Sequence, residues 1–233
     1  MSAEKKAKTM AERMAKREAK KDQIVLAAAP HVAFDGWGDA ALAAGAQDLG
    51  FDADTAKRLF TGGAEDAIAQ FAAIADREMI RAMEKADLPN MRVRDRVIFG
   101  VRARLEFLTP HREAVRGGLH VLANPLHAGL MAQLTHTTVD HIWYMAGDRS
   151  ADFNWYTKRG LLAPVYAATV LYWLNDNSEG CEDSWGFLER RIDDVLKIPP
   201  MKAKVMKAVE DIVKGGPFAR FTGKSKTDLE MRP

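Results

Sequence analysis

Cysteine is almost absent from these 233 residues: Cys181 stands alone, so no internal disulfide can form and packing must hold the fold. No apolar run reaches the ~20 residues that cross a bilayer, and no signal-peptide core follows the first residues, so the chain is expected to start as a soluble cytoplasmic protein. A large excess of one charge is also missing. With 34 Lys and Arg against 32 Asp and Glu, the net charge of +2 predicts no strong long-range pull on nucleic acid. Catalytic motifs are lacking too. There is no Glu-x-x-His pair for a di-iron carboxylate centre, no nucleophile elbow and no paired zinc spacing. The segment Thr222-Gly223-Lys224-Ser225 would need a further glycine where Phe218 stands. His136 and Asp140 lie one helical turn apart, but two such groups without other ligands more often serve structure than metal. No catalytic residue, metal or cofactor is expected, and the chain reads as a non-enzyme.

The patterns that are present are helical, and none has the period of a strand, so the fold class is all-α. Met1 to Lys21, with eight Lys or Arg against three Glu, reads as a basic N-terminal arm, a solvated helix or a frayed tail, with an arm without fixed structure as the default. A head follows over 22–62: an apolar segment from Asp22, a glycine-marked turn at Gly36 and Gly38, and short helices near Asp39–Leu49 and Asp54–Phe60. This order resembles the helix-turn-helix head of TetR-type regulators. Its charge does not suit DNA. Asp22 to Phe60 holds six Asp against Lys57 and Arg58, a balance of −4 where phosphates would sit. A body over 63–198 then carries longer helices near Glu65–Lys85 and Val93–Leu108, one begun by Thr109-Pro110, and one begun by Asn124-Pro125 that reaches Met145. Arg92, Arg94, Arg96, Arg102 and Arg104 are expected mostly on the outer face of the second. The remainder, 199–233, holds a short amphipathic piece at Met201–Val213 behind Pro199 and Pro200, then a tail.

The most telling stretch joins a polar-aromatic segment to an apolar one. Phe153, Trp155 and Tyr156 spread rings over two faces of a first helical turn, with Lys158 and Arg159 just beyond. That is the composition of a binding hot spot, although three rings tucked into one core would read the same way. From Leu161 to Leu174 only Thr169 is polar, so this helix is expected to be buried or to face lipid, though it is too short to span a bilayer, and Pro164 should bend it near Gly160. Another helix from about Asp183 to Leu196 turns Trp185, Leu188, Ile192 and Val195 to one side. Leu126, Leu130, Leu134, Val165, Tyr166, Thr169, Val170 and Trp173 fall at helical spacing on two adjacent helices, as the walls of an apolar cavity would. A filled core would show the same spacing.

The sequence AGDRSADFNWYTKRGLLAPVYAATVLYWLNDNSEGCEDSWGFLERRIDDV, Ala146 to Val195, resembles the signature of the COQ9 family of lipid-binding accessory proteins in ubiquinone biosynthesis. MRVRDRVIFGVRARLEFLTPHREAVRGGLHVLA is similar to that family's middle helices, and the likeness runs loosely from about Lys20 to about Lys207. It implies a TetR-like fold with a degenerate head and a helical ligand-binding and dimerisation body, and a homodimer. It implies a protein that binds an isoprenoid quinone intermediate, meets the inner membrane peripherally, and presents the lipid to the di-iron demethoxyubiquinone hydroxylase. In that family the segment matching Asp152, Phe153, Asn154, Trp155, Tyr156 and Arg159 belongs to the hydroxylase-binding patch. One departure stands out: Met201–Val213 is shorter than the family's eukaryotic membrane helix. The alternative is a ligand-responsive TetR-type transcriptional regulator, against which the acidic head argues.

Overall fold

The computed structural model of the chain describes residues 3–149 and 153–197. Every extended element among them is a helix. Met1–Ile192 forms one compact unit, and Asp193–Pro233 a second of which only the end of the last helix is described.

The head begins on α1 (Ala3–Ala28), which is a single helix through the segment expected to be an unstructured arm. The boundary placed between Lys21 and Asp22 therefore falls inside a helix. Ala, Lys and Glu are strong helix formers, and the apolar end of α1 is anchored by packing, which lets the polar half propagate from it. That end buries Ile24, Val25 and Ala28. After the one-turn α2 (Val32–Asp35) come α3 (Asp39–Asp48) and α4 (Ala53–Leu59), close to the expected helices. Helix α3 packs on α1 through Ala41, Leu42 and Ala46. At Gly45 the two backbones nearly touch: a Cβ there would lie 2.5 Å from the Ala28 nitrogen. Only glycine allows that approach. Asp52 caps α4 by accepting from the Asp54 N–H at 3.3 Å.

The body consists of α5 (Ala64–Lys85), α6 (Val93–Leu108), α7 (Arg112–Leu122), α8 (Ala128–Met145), α9 (Phe153–Trp173) and α10 (Glu182–Lys197). Helix α5 joins head to body, since it packs on α1 with one end and on α6 and α8 with the rest. Ile68, Phe71 and Met79 form its buried stripe, as their spacing predicts. Helix α9 continues through Pro164 as one helix, so the residue expected to bend it lies inside it. Asn124 restarts the chain by accepting from the Leu126 N–H at 3.0 Å, but a 3-10 turn over Pro125–His127 comes before α8. Asp176 ties the start of α10 to the end of α9: its carboxylate accepts from the backbone N–H groups of Ser178 at 2.8 Å and Ser184 at 2.9 Å, and from both hydroxyls. Burial works to raise its pKa, but these four bonds outweigh it and hold the group down at about 2.

Candidate functional site

A cavity of about 160 Å³ lies where α5 to α9 converge. Its wall is apolar over most of its extent: Ile68 and Phe71 from α5, Leu108 from α6, Val115, Leu119 and Leu122 from α7, Met131 and Leu134 from α8, and Val170 from α9. Trp37, from the turn between α2 and α3, adds a ring. Its indole N–H donates to the Ala114 carbonyl at 2.8 Å, and its ring centre lies 5.4 Å from that of Phe71. Aromatic pairs at this separation attract beyond their buried area.

One pole of the cavity is polar. Arg104, Thr138 and Tyr166 reach the wall there. Arg104 Nε donates to Asp76 Oδ1 at 2.7 Å, and Arg104 Nη1 donates to the Tyr166 hydroxyl at 2.7 Å. Thr138 Oγ1 donates to Asp76 Oδ1 at 2.9 Å, and His141 Nδ1 stands 3.5 Å from Asp76 Oδ2. Burial tends to raise the Asp76 pKa, yet Arg104, His141 and Thr138 together bring it below the usual carboxylate value. The His141 pKa rises, chiefly through Asp76. Burial pushes the Tyr166 phenol upward, so it keeps its hydrogen at neutral pH. The expectation that the α6 arginines face outward therefore fails at Arg104, which is 6% exposed. Its partner lies on α5, 28 residues earlier, and α5 and α6 are packed neighbours.

Three of the eight residues expected around a cavity line it: Leu134, Tyr166 and Val170. The others do not. Leu126 is 88% exposed because the 3-10 turn puts it out of phase with α8, and Leu130 is half-buried beside the cavity rather than in its wall. Val165, Thr169 and Trp173, four residues apart, form a separate buried rib of α9. The Thr169 hydroxyl donates to the Val165 carbonyl at 2.7 Å, and the Arg112 guanidinium lies 4.9 Å from the Trp173 ring centre. Sequence reasoning missed Trp37, Phe71 as a wall residue, and Arg104. A tryptophan between two glycines was the one available signal for the first.

The expected partner patch is described only in part. Asp152 and the side chains of Phe153, Asn154, Trp155 and Tyr156 lie outside the described residues. Arg159 is described and is buried rather than presented. Its Nε donates to Asp140 Oδ1 at 2.6 Å and its Nη1 to Asp148 Oδ2 at 3.0 Å, while Lys158 Nζ donates to Asp148 Oδ1 at 2.6 Å. The Trp143 indole N–H donates to the Lys158 carbonyl at 3.1 Å. Together these bonds pin the first turns of α9 to α8. A wider groove of about 710 Å³ opens between the same two helices, lined by small residues such as Ala128, Ala132, Gly160 and Ala163. Asp140, half of the pair with His136, is thus engaged by an arginine. Among the described residues no group of three or more His, Cys, Asp or Glu comes together as a metal site. None of the described helices is long and apolar enough to cross a membrane.

The fold is that of a solved TetR transcriptional regulator from Nitrosomonas europaea, with a TM-score of 0.62 over 76% of this chain and 98% of that one, at 21% identity. At the sequence level a COQ9 family model matches residues 128–199. The mitochondrial ubiquinone biosynthesis protein COQ9 of Homo sapiens is 33% identical over 90% of this chain and 68% of its own length. That of Drosophila melanogaster is 33% identical over 81% of this chain and 59% of its length. The tie of α9 to α8, the Asp176 junction and the whole of α10 fall inside the matched segment, and the chain belongs to the COQ9 family of ubiquinone-biosynthesis proteins.

Proposed function

We propose that this chain is a non-catalytic accessory protein that binds an isoprenoid quinone intermediate and presents it to the demethoxyubiquinone hydroxylase, meeting the membrane peripherally and working as a homodimer. The observation that carries this reading is the apolar cavity among α5 to α9, whose wall is polar at one pole only. Such a space suits a largely hydrocarbon ligand with few polar atoms. The dimer has support in Leu171 and Tyr172, exposed on α9, with the Tyr172 ring stacked on Phe187 of α10 at 4.6 Å. Exposed apolar surface of this kind favours a partner. Arg159 acts in the hydroxylase patch by holding the start of α9 in place, leaving contact to the aromatic residues before it.

Two experiments test the proposal. Protein purified from its native host is extracted with organic solvent and examined by mass spectrometry, where a co-purified quinone is expected and a lipid-free protein would count against it. Trp155→Ala is then expected to weaken hydroxylase association by about 2 kcal/mol, or some 30-fold, with the melting temperature close to wild type. A large fall in melting temperature would make the ring a core residue instead.

A further inference from the structure

We infer that the cavity receives the ring end of its ligand, and that the Tyr166 hydroxyl donates a hydrogen bond to an uncharged ring oxygen there. This rests on the lipid-binding reading above and adds which part of the ligand enters and which atom recognises it. Tyr166 is 8% exposed and lines the cavity. Its oxygen accepts from Arg104 Nη1 at 2.7 Å, and among the described residues no acceptor takes the hydroxyl's own hydrogen. Buried donors are nearly always paired, so a ligand oxygen completes a set that the protein leaves one bond short. The positive charge of Arg104 on the phenol oxygen makes the O–H a stronger donor.

Charge and size restrict what can answer it. Asp76 already balances Arg104 at 2.7 Å, so Arg104 brings no unpaired positive charge to the wall for a carboxylate, and a neutral carbonyl or phenol oxygen fits better. A space of about 160 Å³ is close to the roughly 150 Å³ apolar cavities that hold one benzene ring. One ring fits against the wall that the paired Trp37 and Phe71 rings form together, and a long polyprenyl chain must leave through the open side.

The test titrates the full-length protein with three probes: a benzoquinone bearing one prenyl unit, a hydrocarbon of the same shape without ring oxygens, and decanoate. The quinone is read by quenching of the protein's tryptophan fluorescence, to which Trp37 in the cavity wall contributes, and the others by displacement of it. Wild type is expected to prefer the quinone over the hydrocarbon by about tenfold, and Tyr166→Phe to remove that preference while holding the hydrocarbon within about twofold. Equal affinity of wild type for quinone and hydrocarbon, or tighter binding of decanoate, overturns the inference without any variant. That comparison decides the matter if Tyr166→Phe fails to fold for want of an acceptor for Arg104. If both ring probes bind and Tyr166→Phe changes neither, the hydroxyl assignment falls and the cavity stands. If the folded wild type binds none of the three, the lipid-binding reading falls with it.

Discussion

Arg104 and Arg159 are equally buried, at 6% exposed each, and they are paired in opposite ways. Arg159 meets two carboxylates, Asp140 and Asp148, and its job is to close the joint between α8 and α9. Arg104 meets one carboxylate and then a phenol, so the chain of bonds starting from Asp76 ends on a neutral donor at a cavity wall. A guanidinium saturated with carboxylates fastens two helices. One that shares its bonds with a hydroxyl can also prepare a place for something else.

The largest expected effect breaks this comparison at the cavity. Asp76→Ala leaves the Arg104 guanidinium buried without its carboxylate, which typically costs 3–5 kcal/mol, roughly the loss of a whole buried pair's partner. Urea unfolding with an unchanged m-value reads it; a loss below about 1 kcal/mol would mean that water reaches Arg104. Asp148→Ala should cost less, about 2 to 3 kcal/mol, because Arg159 keeps the partly exposed Asp140. Were the two losses equal, the second carboxylate would be worth nothing at the joint. Third is Asp176→Asn, which should cost about 2 kcal/mol at neutral pH. The native Asp176 pKa of about 2 lies below the ordinary carboxylate value of 3.8, so its contribution is complete above about pH 4 and fades as pH falls toward 2. The variant should lack that part of the acid limb, and identical limbs in variant and wild type would sink the assignment. The smallest effect belongs to Glu106→Ala, which removes the exposed i,i+4 pair with Arg102 at 2.7 Å and should cost under about 0.5 kcal/mol. A larger thermal shift there would show that the pair supports more than its own helix.

Helix after helix was legible in the sequence because the periodicity of apolar residues reports the face that packs. Val93–Leu108 shows this to the residue, and Asp39–Leu49 to within one. Charged side chains carry no such signal. Nothing local distinguishes Arg104, which is buried, from Arg102 two residues earlier, which is paired at the surface; the difference lies with Asp76 on another helix. The same limit split the α9 stripe, since Tyr166 and Val170 line the cavity while Val165 and Thr169 face elsewhere, only one residue away in each case. Periodicity finds a buried surface and does not divide it between two neighbours. The basic arm was missed for the opposite reason, since residues that bury nothing give no pattern to read even when they continue a helix begun elsewhere.

That continuity of α1 has an electrostatic consequence. Residues 7–19 are exposed along it, and a helix rises about 1.5 Å per residue, so Lys8 stands some 20 Å from Asp22. The Debye length at physiological ionic strength is about 8 Å. A charged surface approaching the tip of α1 therefore meets Lys8 and Arg13 with the acidic head behind them largely screened, and one approaching the head meets the reverse. The near-neutral total of +2 thus conceals a basic arm, +5 over residues 1–21, and an acidic head, −4 over residues 22–60.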